Sequence, residues 1–415
     1  MYLKKYVNKI KAEPMIFFIG LCIIALAVMG TSVRHVSSTM FAVLFLLSLT
    51  TIKDWAKVFS SLSKLEKLFL FSFVLYTISG IVSYYNVEDI DKYYKLFERY
   101  LRFTLIIPVY LLIVRKNVSV LNYLFFGAVL SGPFLIAVSI QHYLANPATP
   151  AQGYYHHIIF GQLAMLNVGI MLSLLLTKEL DRKLQFVISV SILCGTAAAV
   201  MSQARGVWLV FPIYVIIAIY YTVKEKRLGI NSVIAFFIAA ILLSVFTPID
   251  TLIKKRTEEA AVEVSRFYTE DQYISSVGTR LAMWDIAIDI WKRHPILGTG
   301  PGDIDDEIML LKKKGEYAGM ELHNSVHNIY IQALVGSGII GLAALLFVLL
   351  FMPLKLFFDK CNKEGGLIGF IIVVSFAIFG FSESWTLRLP PISIFLVFII
   401  TVASHMRIAG SKDKC

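Results

Sequence analysis

Charge is what this chain has least of. Of its 415 residues only 16% are Asp, Glu, Lys or Arg, while 57% are hydrophobic and the mean hydropathy is +0.72. A soluble domain of this length has no means of hiding so much apolar surface, so composition excludes a soluble enzyme and points to a polytopic membrane protein. Cysteine is nearly as scarce: Cys22, Cys194, Cys361 and Cys415 are scattered, with no Cys-x-x-Cys pair and no Cys/His pattern. That excludes a disulfide framework and a structural zinc site. Also missing is an Ala-x-Ala-like cleavage signal after the first apolar run, which begins behind Lys4, Lys5, Lys9 and Lys11. The run reads as a retained span rather than a removed signal peptide.

What the chain has instead is a series of twelve apolar runs of spanning length, near 15–33, 38–52, 66–84, 98–114, 118–140, 158–177, 184–201, 207–223, 230–248, 328–352, 367–383 and 389–406. The expected fold is an all-α polytopic membrane protein with twelve transmembrane helices and one large extracytoplasmic loop containing amphipathic helices. Residues 1–248 would hold the first nine spans, 249–327 the loop, and 328–415 the last three spans with a cytoplasmic tail. With both termini inside, the inward connectors hold 22 Lys and Arg and the short outward ones seven; the other ten lie in the long loop, which the count leaves out. The net charge of +11 is therefore mostly topological, and nucleic acid is excluded as a partner. A loop on the extracytoplasmic side has no ATP or nucleotide sugar at hand, so a group transferred there must arrive activated on a carrier.

The outward cations and the long loop carry the candidate chemistry. Arg205 sits in Ser202-Gln203-Ala204-Arg205-Gly206, a tight turn between apolar runs. It is either a snorkelling headgroup arginine or an anion site, since a guanidinium matches phosphate oxygens bidentately. Arg280 opens a helix-like stretch in which Leu281, Trp284, Ile288 and Trp291 form one face, read as packing or interface anchors. The following Pro295-to-Gly302 segment reads as a turn, because the Lys-Ser/Thr pair of a phosphate-binding P-loop is absent. Asp303, Asp305, Asp306 and Glu307 form an acidic cluster, a solvated face or a divalent-cation site, with Asp89 and Asp91 a similar pair on another outer loop. His323 and His327 are four apart, but Asn324 stands where a His-Glu-x-x-His zinc motif needs its glutamate, so no metal ligand is assigned. A histidine where a helix enters the bilayer suits proton transfer, or caps that helix. His156 and His157, at another outer boundary, are weaker candidates.

Taken together these motifs resemble the O-antigen ligase and O-antigen polymerase superfamily of membrane glycosyltransferases. His327-Asn328, nine residues, Gly338, two residues and Gly341 has the spacing of the ligase motif. Ser202-Gln203-Ala204-Arg205-Gly206-Val207-Trp208 resembles the first arginine motif, and Gly278-Thr279-Arg280 through Trp284 to Pro295, Gly298 and Gly300 the second. The resemblance implies transfer of a preassembled glycan from undecaprenyl diphosphate to lipid A-core at the periplasmic face of a bacterial inner membrane, without cofactor or metal. It implies His327 as general base and Arg205 with Arg280 as diphosphate ligands. Asn328, Arg99, Arg102 and His323 are candidate substrate contacts, and Gly338 and Gly341 allow close helix packing. A polymerase using the same donor is the nearest rival. A transporter is disfavoured because the spans lack midplane charges.

Overall fold

Several helices in this chain start where a polar side chain takes up free backbone N–H groups. Ser63 accepts from the Glu66 N–H (3.2 Å) and Glu66 returns to the Ser63 N–H (2.8 Å), a complete capping box. Asp89 and Asp181 cap in the same way through the N–H groups of Lys92 and Leu184. The computed structural model describes residues 14–87, 89–225, 276–301, 326–358 and 363–410, with isolated positions 304, 308, 310, 313 and 314. Among these residues every regular element is helical. The longer ones are α1 (Pro14–Met29), α2 (Val36–Leu49), α3 (Lys64–Val82), α4 (Ile90–Lys116), α5 (Leu121–Ala145), α6 (His157–Thr177), α7 (Arg182–Met201), α8 (Phe211–Glu225), α9 (Ser276–Arg293), α10 (Ile329–Leu346), α11 (Lys363–Phe379) and α12 (Leu389–Gly410).

Seven helical segments of the described chain are long and apolar enough to cross a membrane, and eight if one bent pair counts as a span. The protein is a helical, multi-pass membrane protein, but the expected twelve spans do not follow. Run 38–52 becomes α2 followed by a 64° bend into Ile52–Ser60. Run 98–114 lies within α4, which starts earlier at its Asp89 cap and takes Lys92, Lys95, Glu98, Arg99 and Arg102 into the helix. Helices α1 and α11 are short, at 16 and 17 residues. Run 230–248 and most of 249–325, the expected long loop, lie outside the described residues.

Burial separates the helices sharply. In α6 94% of the spanning window is buried, against 22% for Arg205–Lys224, so α6 is the central helix and α8 a peripheral one. A helix apolar on all sides belongs in such a position. Around α6 stand α5, α7 and α11, and α11 also packs on α12, whose window is 83% buried. Residues 380–388, linking α11 to α12, therefore lie beside the N-terminal end of the central helix. Confirming that placement, a Cβ added at Gly206, just past the end of α7, would run into the Ser382 side chain.

One helix is broken. Ser337 (φ −138°) and Gly338 (φ +64°, ψ −165°) interrupt α10. The freed backbone groups are taken by the Pro295–Gly300 segment: Thr299 N–H donates to Val335 O (2.9 Å), Gly300 N–H to Gly336 O (3.2 Å) and Ile339 N–H to Pro295 O (3.0 Å). Irregular backbone is tolerated at such a place only where the protein satisfies it. Gly338 is needed twice over, for its positive φ and because a Cβ there would collide with the Ile296 carbonyl. The close approach allowed by this glycine is thus to a loop backbone, not to a neighbouring helix. At Gly341 a Cβ would meet the Ser337 side chain of the same break.

Candidate functional site

The site is built around the short segment entering α10. Asn328 caps the helix, its Oδ1 accepting from the N–H groups of Tyr330 (2.9 Å) and Ile331 (3.2 Å). Its own N–H donates to Ser384 Oγ (3.0 Å), and Ile329 N–H to Gly380 O (2.8 Å), which seams the segment to the α11–α12 connector. On the other flank Trp284 Nε1 donates to Val326 O (2.8 Å), tying it to α9. Between these anchors His327 adopts a left-handed backbone (φ +50°), which a residue with a Cβ holds only when its surroundings impose it.

That turn delivers the imidazole to Glu383. His327 Nδ1 lies 3.0 Å from Glu383 Oε2, with side-chain exposures of 16% and 4%. Burial alone would raise the Glu383 pKa. The hydrogen bond from His327, together with the charges of His327, Arg388 and His156, outweighs burial and holds the carboxyl below its usual value. An ionised carboxylate only accepts, so the contact requires the proton on Nδ1 and leaves Nε2 of the neutral ring with its lone pair. A carboxylate that fixes the tautomer and supports the imidazolium is the usual way of preparing a general base.

One cation approaches the same carboxylate, and a second approaches the first. Arg280, half-buried on α9, feels both Glu383 and Arg205; burial lowers its pKa, Glu383 opposes the shift and Arg205 adds to it. Arg205 begins the single turn Arg205–Trp208 and is exposed. The central helix contributes its first residues. The ring of His157 lies 4.2 Å from that of His156, tilted by 45°, and its Nδ1 donates to Ser202 O (2.8 Å), three residues before Arg205. Burial and then the neighbouring His157 push the His156 pKa down to about 4, so this ring is neutral at physiological pH.

Of the residues singled out from sequence, His327 thus meets Glu383, Arg280 lies near that carboxylate and Arg205 lies near Arg280, although 122 positions separate Arg205 from His327. Arg102 is engaged elsewhere: buried, it donates to Ser393 Oγ (2.7 Å), Ser38 Oγ (3.3 Å) and Glu98 Oε1 (3.0 Å) and lies over the Phe41 ring. Arg99 is one turn away on α4, near Arg388. His323 and the acidic residues 303 and 305–307 lie outside the described residues. The apolar face of α9 is rotated from the expected one. Ala282, Met283, Ile286, Ala287 and Ile290 fill the core with Ile304, Val326 and Val335, while Trp284 and Trp291 stand at its edge. The indoles sit there because each N–H needs an acceptor, Val326 O and Pro295 O respectively. Glu383 was missed by sequence reading. Its signal was slight, the only acid between Glu364 and Asp413 and set in a short connector between two apolar runs.

Comparison with known proteins agrees with the motifs. A family model described as O-Antigen ligase matches residues 189–346, which include Arg205, Arg280, His327, Gly338 and Gly341 but not Glu383. An uncharacterised protein of Haemophilus influenzae is 25% identical over 329 residues, covering 76% of this chain and 79% of that protein. An O-antigen ligase of Escherichia coli K12 is 26% identical over 218 residues, 49% of this chain and 48% of that one. The resemblance to the O-antigen ligase family is borne out.

Proposed function

We propose that this member of the O-antigen ligase family transfers a preassembled glycan from undecaprenyl diphosphate to a sugar hydroxyl of lipid A-core, at the periplasmic face of the inner membrane and with both termini cytoplasmic. The observation that carries the reading is the His327–Glu383 pair (3.0 Å) with Arg280 and Arg205 beside it. In this scheme His327 Nε2 takes the proton of the acceptor hydroxyl as its oxygen attacks the anomeric carbon. The bond from that carbon to the diphosphate breaks with its electron pair passing to the phosphate oxygen. Arg280 and Arg205 hold the diphosphate and stabilise its growing charge. Glu383 keeps Nδ1 protonated and balances the imidazolium that forms. A single displacement inverts the anomeric centre. The reaction draws on no metal and no nucleotide. Asn328 contributes by shaping the turn that carries His327.

The test is glycan transfer by the purified protein in detergent, with undecaprenyl-diphosphate-linked glycan, lipid A-core and a chelator. Glycan on lipid A-core is the expected product, lost in His327→Ala, Arg205→Ala and Arg280→Ala. Each alanine variant should lose at least about 100-fold, the scale of removing one preorganised charge-stabilising donor or the base. Wild-type activity in all three variants would refute the scheme. Longer lipid-linked glycan without transfer to core would assign a polymerase.

A further inference from the structure

Glu383 feels a further arginine, Arg388, which in turn lies near Arg99. The Arg102–Ser393 hydrogen bond (2.7 Å) fixes the register of α4 against α12. One helical turn before Arg102, and at the residue preceding α12, Arg99 and Arg388 come near enough for their charges to repel. Like charges held together are relieved by an anion between them, and here the nearby acids are engaged. Glu98 is bonded to Arg102 (3.0 Å) and Glu383 to His327 (3.0 Å). Arg99 gives Nη1 to the Lys95 carbonyl (3.2 Å), and its buried Nε has no partner among the described residues. Arg388 is exposed and its side chain makes no hydrogen bond or ion pair among the described residues, yet its charge reaches Glu383 and His156.

We propose that Arg99 and Arg388 form a second anion site, separate from the Arg205–Arg280 pair, which holds a phosphate monoester of the acceptor glycolipid. The proposal rests on the transfer reading above. Two guanidiniums match the charge of such a phosphate, about −1.5 to −2 near neutral pH, and its oxygens fit their paired N–H groups. A diester or a carboxylate brings only one charge and leaves half of the repulsion standing. The two pairs arise from different elements, the 202–208 turn and α9 for one, α4 and α12 for the other. An inverting displacement needs donor and acceptor held apart across the reacting carbon, and two arginine pairs, each with one member near Glu383, supply that arrangement.

The experiment uses the full-length protein in nanodiscs of phosphatidylcholine, with intact lipid A-core and the same acceptor after phosphatase treatment. For Arg388→Gln and Arg99→Gln the acceptor KM should rise roughly 10- to 100-fold, the worth of a charge-assisted hydrogen bond, with the donor KM unmoved. Wild type on the dephosphorylated acceptor should show the same loss, and the variants no further one. A rise in the donor KM, or full persistence of the variant effect on dephosphorylated acceptor, would overturn the proposal. So would an effect that appears only when phosphatidylglycerol is added to the discs, since that assigns the pair to a bilayer headgroup. An arm without turnover separates this from failure of the transfer reading: with the first pair disabled, inorganic phosphate should raise the melting temperature of Arg205→Gln but not of the double variant Arg205→Gln/Arg388→Gln. Equal stabilisation of the two would sink the second site whatever the reaction proves to be.

Discussion

Replacing Glu383 by Gln removes one charge and almost no volume, so it isolates what the carboxylate does for His327. The carboxylate is buried, the imidazole partly so, and they are 3.0 Å apart. A hydrogen bond to a charged group in such a place is worth about 1.5–3 kcal/mol, which sets a loss of roughly 10- to 150-fold from charge alone. The tautomer adds to this. A carboxylate demands the proton on Nδ1, whereas an amide can donate its own N–H to Nδ1 and drive the ring proton to Nε2, where it blocks the base. General-base catalysis is worth about 10²- to 10⁴-fold, so Glu383→Gln should cost between roughly 10² and 10⁴ in kcat/KM for transfer. The assay is initial-rate transfer to lipid A-core, with folding checked by thermal unfolding in detergent. Two further results are expected: Glu383→Gln added to His327→Ala should cost almost nothing more, and donor binding should survive. Activity of Glu383→Gln within about threefold of wild type would refute the argument, because general-base support is then not what the carboxylate supplies.

Other consequences follow from the same geometry. Gly338→Ala forces a Cβ into the Ile296 carbonyl at positive φ, so it should lower stability by about 1–3 kcal/mol and displace the Pro295–Gly300 segment, read by thermal unfolding and by protease susceptibility. Gly206→Val pushes the Arg205 turn off Ser382, and should reduce kcat with little loss of melting temperature. Arg102→Met removes the clamp to Ser393 and Ser38; it should cost about 1.5–3 kcal/mol of stability through the lost charged hydrogen bonds, and shift Arg99 with it. The pH dependence has a definite sign. Burial raises the Glu383 pKa, but the His327 bond and the surrounding cations more than reverse it, so the folded value lies below the unfolded one. Its contribution to stability is therefore full above the unfolded pKa and fades as pH falls through the folded value, and unfolding scans over roughly pH 3 to 7 should show that acid limb in wild type but not in Glu383→Gln.

What could be read from the sequence was whatever is local or periodic. Apolar runs marked the helices because a spanning segment is a local property, and Arg205, Arg280 and His327 were legible because each sits in a spaced motif. The rest depends on contacts made between distant parts of the chain. Run 328–352 reads as one apolar stretch, and its break at Ser337–Gly338 is held open by hydrogen bonds from residues about 40 positions earlier. The rotation of α9 is set by where two indole N–H groups find carbonyls, which no helical period encodes. Arg102 reads as an outward cation like Arg99, and only the packing of α4 on α12 tells the clamp from its neighbour. Glu383 is the sharpest case, a lone acid in a short connector that lies beyond the matched residues 189–346 yet contacts the histidine of the motif within them. The motifs are therefore not a sufficient description of the site. On the proposed scheme, a chain carrying all of them with a neutral residue at this position would keep the diphosphate-holding cations while its histidine lost the partner that makes it a base. The scheme thus assigns donor binding and transfer to separable parts of the fold, and single turnover against donor affinity across the Glu383, Arg280 and Arg205 variants should divide along that line: Glu383→Gln slow but binding, Arg280→Ala and Arg205→Ala impaired in both.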